Sequence, residues 1–217
     1  MAEAQATKPK WVSREARLRD IVSAAADSIA RVGFADTTLA TVAREAGLSP
    51  ASLVFYFKTK EALLTETLRW LAAEYTENWT AALARAPDRP LARLVAMVKA
   101  SFSPKVCNAK SIAIWHAFYA ETKARPAYRK ICGEHDDRRY GALAAICAGV
   151  LEAGGKPAEA AGDMAVMIDA LADGLWTDIL VSGERANRRE ALRLAMLQLK
   201  ILLPEHAAEI ADWEPRV

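Results

Sequence analysis

A glycine between two short segments with apolar faces is the sequence feature that most constrains the fold. Gly47 can adopt the left-handed backbone conformation that ends a helix. The dipeptide Ser49-Pro50 after it supplies an N-cap and a proline at the first position of a new helix. Before the glycine, apolar residues recur at spacings of three and four: Leu39, Val42, Ala43 and Ala46. The segment 37–61 is therefore predicted to form two short helices joined by a tight turn.

The second of these helices is predicted to have an inner face and an exposed face. Leu53 and Phe57 are expected to point inward. Four other residues then lie on or near the exposed face: Ala51, Ser52, Phe55 and Tyr56. In a helix-turn-helix motif, the second helix presents such a face to base edges in the major groove of DNA. This pattern therefore predicts a DNA-binding unit.

Residues at the helix starts are predicted to hold the motif against DNA. Thr59 is expected to cap the helix that follows. Lys60 lies in the first turn of that helix, where a cation is repelled by the positive end of the helix dipole, and a bound phosphate would explain it. The complete set of predicted DNA-binding residues is Thr38, Ser49, Pro50, Ala51, Ser52, Phe55, Tyr56 and Lys60.

The composition sets the broad class of the protein. With 217 residues, of which 53% are hydrophobic, the chain can form one large domain or two small ones. Its net charge of +2 does not by itself indicate nucleic-acid binding. Three cysteines without a disulfide spacing indicate reduced thiols. Because no signal peptide or long apolar run is visible, we expect a cytoplasmic protein that does not contact a membrane.

Basic residues are concentrated near the N-terminus, at Lys8, Lys10, Arg14, Arg17 and Arg19. They suit an arm and a helix that lie near phosphates, but a solvated terminus explains them equally well. Residues 1–12 are predicted to be a flexible arm.

The whole chain is predicted to be all-α, because no stretch alternates with period two. Helices are expected up to Gly33, from Thr59 to about Ala86, and over 91–102, 108–123, 126–153, 157–182 and 188–203. We therefore expect a three-helix DNA-binding domain over residues 1–59. A larger helical domain for ligand binding and dimerisation is expected over residues 60–217.

The last two long helices carry wide apolar faces. In the first, the face is formed by Met164, Met167, Ile168, Leu171, Leu175 and Ile179. In the second, it is formed by Leu192, Leu194, Ala195, Leu197, Leu199 and Ile201. Composition leaves two explanations open, an intramolecular core and a two-fold interface of four helices. The homodimer is favoured, because a helix-turn-helix protein reads DNA with two recognition helices, one from each copy.

Two segments combine aromatic and acidic residues at helical spacing. Trp115 and Tyr119 fall on one stripe, and Asp169, Asp173 and Trp176 fall on another. Buried carboxylates need a cation, supplied by the protein or by a ligand. A quaternary ammonium fits because aromatic faces and a nearby negative charge hold it without hydrogen bonds. The alternative is that the tryptophans are ordinary core and the acids are surface charges or partners of arginine.

The segment 14–64 resembles the N-terminal domain of the TetR family of transcriptional regulators. The resemblance rests on an amphipathic helix that ends at Gly33-Phe34, on the run TTLATVAREAGLS and on the run YFKTKEALL, in the family's order and spacing. It implies a preceding helix, a following ligand-binding domain, and phosphate contacts by Tyr56 and Lys60.

A narrower resemblance, over residues 14 to about 203, is to the choline-responsive, BetI-like members of that family. In the second half of the chain it rests on the runs KSIAIWHAFYAETKARPAYRKI and ALADGLWTDILVSGE. It implies a ligand cage formed by Trp115, Tyr119, Asp173 and Trp176. Two positions depart from the family pattern: Phe55 stands where His is common, and Val54 where many members have Tyr. The operator sequence therefore does not carry over.

Two other classes of function compete with a regulator. Cys132, Glu134, His135 and Asp136 lie close together but do not make a complete zinc site, and no phosphate loop or nucleophile elbow is visible, so we expect neither an enzyme nor a bound metal or cofactor. A helical adaptor would leave Ser49-Pro50, Tyr56 and Lys60 unexplained. The sequence therefore predicts a repressor that binds double-stranded operator DNA and is released by a small-molecule effector, choline or another quaternary ammonium. The alternatives are an activator, a TetR-type regulator of a different pathway such as drug efflux or lipid metabolism, and a helical enzyme.

Overall fold

The computed structural model describes residues 13–182 and 187–213, and within these ranges the chain is all-α, as predicted. The helices of the described part are α1 (Arg14–Asp36), α2 (Leu39–Glu45), α3 (Pro50–Tyr56), α4 (Lys60–Arg85), α5 (Pro90–Ser101), α6 (Ala109–Glu121), α7 (Pro126–Ala153), α8 (Ala161–Val181), α9 (Arg188–Leu202) and α10 (Ala207–Asp212). The predicted flexible arm, residues 1–12 with Lys8 and Lys10, lies outside the described residues.

The chain divides into two compact units, Met1–Thr67 and Leu68–Val217. The predicted assignment of 1–59 to DNA binding and 60–217 to ligand binding and dimerisation stays a prediction. No helix in the described ranges is both long enough and apolar enough to span a bilayer.

The first helix was predicted to end at Gly33, but α1 continues to Asp36 and is interrupted at Gly33. This glycine has φ +83° and ψ 172°, so the helical path is interrupted there, and a last short turn follows. The hydroxyl of Thr37 donates a hydrogen bond to the Gly33 carbonyl over 2.9 Å and lies 3.2 Å from the hydroxyl of buried Ser28. A glycine is required at this position because the left-handed region is strained for residues with a side chain.

The turn between α2 and α3 has the predicted form. Gly47 has φ +64°, and its N–H donates to the carbonyl of Arg44, while the N–H of Leu48 reaches back to the carbonyl of Ala43. These two bonds satisfy carbonyls at the end of α2 in the arrangement of a Schellman motif. The Ser49 hydroxyl then accepts a hydrogen bond from the N–H of Ser52, which caps α3.

Helix α3 has the predicted inner and outer faces. Leu53 is fully buried and Phe57 is buried, while Phe55 is 79% exposed. The burial of one face fixes the orientation of this seven-residue helix, which is too short to be stable by itself. As predicted, Thr59 caps α4, because its side chain accepts a hydrogen bond from the N–H of Ala62.

The second unit is built around α7, which packs against α5 and α8. Its bounds agree with the predicted 126–153, and α5, α6, α8 and α9 agree with prediction to within a few residues. Helix α10 was not predicted from the sequence. This short helix follows Pro204, and Ile210 is its buried residue. A helix with a single buried residue has no repeating apolar pattern from which it could be predicted.

The apolar faces of α8 and α9 are partly core and partly exposed. Their inner residues are buried: Met164, Ile168, Leu192, Ala195 and Leu199. Other members of these helices leave large hydrophobic side chains in contact with solvent: Val166, Met167, Val181, Leu197 and Ile201. The intramolecular core therefore accounts for only part of the predicted faces.

The three cysteines of the chain are buried, free thiols. Burial raises the pKa of Cys107 and of Cys132 to about 11, and that of Cys147 to about 12.

The turn glycine generates a stability prediction. Gly47→Ala should destabilise the protein by roughly 1 kcal/mol, because alanine at φ +64° is strained although no atom lies within 4 Å of its added methyl group. Gly141→Ala, inside α7 and equally free of close neighbours, should stabilise by roughly 0.5–1 kcal/mol. Urea unfolding of the two variants measures both changes. Equal effects of the two substitutions would contradict the role assigned to the turn.

Candidate ligand-binding site

A cavity of about 420 Å³ lies among helices α4, α6, α7 and α8 of the second unit. Five aromatic side chains line it: Tyr75, Trp115, Tyr119, Tyr140 and Trp176. Five charged side chains also line it: Asp136, Asp137, Arg139, Asp169 and Asp173. The cavity therefore combines aromatic surface with an excess of carboxylates.

Tyr75 is the centre of the aromatic wall. Its ring meets Trp115, His135 and Trp176 edge to face, with centroid separations of 6.3, 5.1 and 5.7 Å. Trp115 is in turn stacked between two rings, with Tyr119 at 5.6 Å and His135 at 5.1 Å. Each contact has the offset or perpendicular geometry that the ring quadrupoles favour. The wall is thus a connected aromatic cluster, and its faces are held in place before any ligand arrives.

Trp176 is anchored by a hydrogen bond as well as by packing. Its indole N–H donates to the backbone carbonyl of Ser101 at 3.0 Å, and the residue is buried. A buried indole N–H without a partner would be costly, so this bond sets the orientation of the ring against α5.

Arg139 is the cation of the cavity wall. Its Nη1 binds the carboxylate of Asp169, and its Nη2 donates to the Ser101 hydroxyl at 2.9 Å. The guanidinium also lies 5.9 Å from the centre of the Tyr75 ring, within cation–π range. One side chain of α7 thereby connects α4, α5 and α8. Two acids lie on the predicted α8 stripe, and for one of them, Asp169, the cation is supplied by the protein.

The remaining acids keep the cavity electronegative. Burial raises the pKa of Asp136 to about 6, with a further contribution from the neighbouring charge of Asp173. Burial likewise raises the pKa of Asp173, although Arg139 lowers it in part. The Tyr119 hydroxyl lies 3.4 Å from Asp136 Oδ1, and burial together with both acids raises the pKa of that phenol. Asp136 and Asp173 are solvent-exposed at the edge of the cavity, and partial desolvation there favours their neutral forms, so a cation that enters the cavity would stabilise their charged forms.

His135 is neutral above acidic pH. Burial, reinforced by Arg139 and Arg138, lowers its pKa to about 4. Its Nδ1 lies 3.5 Å from the Thr76 hydroxyl. Among the described residues, no group of three or more His, Cys, Asp or Glu side chains is placed to hold a metal ion. His135 therefore contributes a flat uncharged ring to the wall.

The structure brings all four predicted ligand residues, Trp115, Tyr119, Asp173 and Trp176, to this one cavity. That they bind a ligand stays a prediction. The sequence analysis did not assign Tyr75, His135, Asp136 or Arg139 to this site. The sequence did indicate that Asp169 would need a cation. Nothing in the local sequence identified Arg139 as the arginine that supplies it.

The predicted DNA-binding residues lie in the first unit, and several have structural duties there. Thr38 and Thr41 form a reciprocal cap at the start of α2, with bonds of 3.1 and 2.8 Å between side chains and backbone. Ser49 caps α3. Pro50, Ala51 and Ser52 are exposed at the start of that helix, and Tyr56 is half-buried at its end. Contacts of these residues with DNA stay a prediction.

The structure gives a second explanation for the lysine at position 60. Its Nζ donates to the carbonyls of Phe34 and Ala35 at 2.8 and 2.9 Å, beside the last turn of α1. A cation is favourable at carbonyls that end a helix. These contacts account for a lysine at this position without a bound phosphate. A DNA contact by Lys60 stays a prediction that would have to use the remaining N–H of its ammonium group.

Comparison with known protein families finds two matches that together cover most of the chain. Residues 21–67 match the family described as bacterial regulatory proteins, tetR family. Residues 90–204 match the family described as BetI-type transcriptional repressor, C-terminal. The chain is also similar to two proteins named HTH-type transcriptional regulator BetI. The one from Paraburkholderia phymatum is 32% identical over 92% of this chain and 100% of its own length. The one from Burkholderia mallei is 33% identical over 86% of this chain and 93% of its own length.

Solved structures share the fold. A transcriptional regulator from Pseudomonas aeruginosa PAO1 superposes with a TM-score of 0.79, at 21% identity, over 92% of this chain and 96% of its own. A transcriptional regulator from Saccharomonospora viridis, solved in complex with choline, superposes with a TM-score of 0.78, at 24% identity, over 87% of this chain and 97% of its own.

The ion pair in the cavity wall generates a second prediction. Arg139→Met and Asp169→Asn should each destabilise the protein, and the double variant should cost less than their sum, with a coupling of roughly 1–3 kcal/mol. Each single change leaves one charge of a largely buried pair uncompensated. The exposed pair Arg193 and Glu190 is the control, and its coupling should stay below roughly 1 kcal/mol. Urea unfolding of both cycles measures the coupling, and equal values would contradict the structural role of Arg139.

Proposed function

The chain belongs to the TetR family of transcriptional regulators and has a BetI-type C-terminal domain, and from this we propose that it is a repressor released from its operator by a small quaternary ammonium cation, choline or a close analogue. Like its relatives, it is a regulator and not an enzyme. Operator binding places the protein in the compartment that holds the DNA, which we take to be the cytoplasm.

The effector assignment rests on one observation, that a single cavity combines aromatic faces with more carboxylates than cations. A quaternary ammonium has no N–H to donate, so it is bound by aromatic faces and by nearby negative charge. Trp115, Tyr119, Tyr75 and Trp176 supply the faces, and Asp173 supplies the charge. The volume of about 420 Å³ is in the usual range for small-molecule sites.

The alternative effectors fit the cavity less well. A fatty acid would bring its own carboxylate beside Asp136, Asp137 and Asp173, where like charges repel it. An aromatic cationic drug would satisfy the same charges and is the competing candidate for a regulator of drug efflux. The choline complex of the Saccharomonospora viridis protein, which shares this fold, supports the smaller cation.

Operator binding in this proposal requires a homodimer. One seven-residue recognition helix contacts few bases, whereas a two-fold dimer can present two such helices to successive major grooves, about 34 Å apart. The exposed apolar residues of α8 and α9 are the surface proposed to meet a second copy: Met167, Val181, Leu197 and Ile201. Burying them would remove large hydrophobic side chains from water.

The proposed mechanism is a shift between two arrangements of this dimer. The unliganded form holds its recognition helices at the spacing of the operator, and the effector binds more tightly to an arrangement that does not. The loss of operator affinity then equals the difference between the two effector affinities, and operator DNA weakens effector binding by the same factor.

A binding experiment with operator DNA tests the function. The protein should bind DNA flanking its own gene at least roughly 10³-fold more tightly than random DNA, and choline should weaken that binding. Asp173→Asn and Tyr119→Leu should keep operator affinity while the choline concentration needed for release rises by about tenfold, because each removes one part of the cation site. Fluorescence anisotropy at fixed salt measures both quantities.

Asp163→Asn is the matched control, because Asp163 is an exposed acid of α8 that does not line the cavity. It should respond to choline like the wild type. Binding no tighter than to random DNA would eliminate the operator proposal. An unchanged choline response in both cavity variants would eliminate the proposed site, and release by an aromatic cation alone would replace choline as the effector.

Choline affinity should also depend on pH through Asp136. The pKa of this carboxyl is raised to about 6, and a bound cation favours its ionised form. Choline affinity should therefore be highest above pH 7 and fall by roughly fivefold towards pH 5. A fivefold change corresponds to about 1 kcal/mol, the interaction free energy of a partly screened ion pair. His135, whose pKa is lowered to about 4, stays neutral over this window. Calorimetry across pH should show this dependence in wild type and Asp163→Asn, and its loss in Asp136→Asn. A dependence that survives in Asp136→Asn would assign it to another group.

A further inference from the structure

The recognition helix α3 has neither a charged nor an amide side chain, and the structure describes all of its residues. The strongest contacts to base edges in the major groove come from Arg or Lys on guanine and from Asn or Gln on adenine. Helix α3 cannot make either kind of contact. Its polar side-chain groups are the hydroxyls of Ser52 and Tyr56, and the Ser52 hydroxyl lies 2.8 Å from that of Ser49, within the cap of the helix.

The exposed face of α3 is dominated by Phe55. This side chain is 79% exposed, the largest fraction among the large hydrophobic side chains of the described residues. Phe55 follows Ala51 by four positions and Ser52 by three, so the three share one helix face, opposite the fully buried Leu53. Its ring meets Tyr56 edge to face at 5.5 Å. A phenyl ring presented in this way has apolar surface available for a partner.

Thymine carries the one apolar group among the base edges of the major groove, its C5-methyl. We propose that Phe55 recognises thymine methyl groups, so that operator recognition by this protein depends on methyl contacts. The inference rests on the proposed operator binding. DNA is the partner because α3 lies inside the segment that matches the tetR family and follows the turn of a helix-turn-helix.

The first unit carries little net charge, so its proposed binding to DNA depends more on short-range contacts than on attraction to phosphates. The described residues 13–67 include seven basic and seven acidic side chains, and residues 1–12 add Lys8 and Lys10 against Glu3, so the side chains of this unit carry a net charge of only +1. Attraction to phosphates is independent of sequence and cannot discriminate between operators. Discrimination at the positions that face Phe55 then falls to contact with the methyl group.

Uracil substitution is the matched experiment, because uracil differs from thymine only by the missing methyl group. An operator is first obtained from DNA flanking the gene or by selection from random duplexes. Each thymine of a half-site, together with its symmetry mate, is then replaced by uracil. For wild type, at least one replacement should weaken binding by about fourfold per methyl group, or about fifteenfold for the pair. Fluorescence anisotropy at fixed salt gives the affinities.

Phe55→Ala should bind the thymine operator more weakly and should lose the sensitivity to uracil at that position. Val54→Ala is the control, because Val54 is a smaller exposed side chain of the same helix, 44% exposed, and lies outside the face centred on Phe55. It should retain the sensitivity. Circular dichroism and choline calorimetry verify that each variant is folded.

The outcomes separate this inference from the proposed function. Sequence-specific binding that is insensitive to uracil at every position would overturn the methyl contact and leave the repressor proposal standing. Uracil sensitivity that persists in Phe55→Ala would also overturn it, because another side chain would then contact the methyl group. Binding with no sequence preference at all would overturn both proposals.

Discussion

A largely buried guanidinium has to be neutralised, and the way Arg139 is neutralised determines the wall of the cavity. Its partners, Asp169 and the Ser101 hydroxyl, lie on α8 and α5, and Tyr75 on α4 faces the same group. Trp176 reaches the same residue of α5 through its indole N–H. These hydrogen bonds and the ion pair connect α5, α7 and α8 at defined points. The positions of the aromatic faces follow from this network.

The same pairing decides which charges remain for a ligand. Arg139 is paired with Asp169 and only partly offsets the charges of Asp136 and Asp173, whose pKa values are raised mainly by desolvation. The cavity is lined by an excess of carboxylates, while α3 presents a surface without charge. In the two proposals, the effector is attracted by charge and the operator is recognised by apolar contact.

The parts of this protein that could be predicted from sequence are those determined by neighbouring residues. Gly47, Ser49 and Pro50 act on backbone within a few positions, and the interruption of α1 at Gly33 is equally local. The cavity is different, because the bond between Trp176 and Ser101 joins positions 75 apart and Arg139 meets a residue 30 positions away. The stripes on α6 and α8 indicated aromatic and acidic faces but not their neighbours on α4 and α7. Lys60 shows the same limit, since its carbonyl partners lie on α1 and only the folded unit reveals them.

The sulfur chemistry of the chain follows from its burial. A cysteine reacts as a thiolate, and the three thiols here have pKa values of about 11 to 12 in positions closed to solvent. At neutral pH they remain protonated and out of reach of peroxides and electrophiles. Direct oxidation of these three cysteines is therefore disfavoured, and a response to peroxides would have to use other groups of the protein.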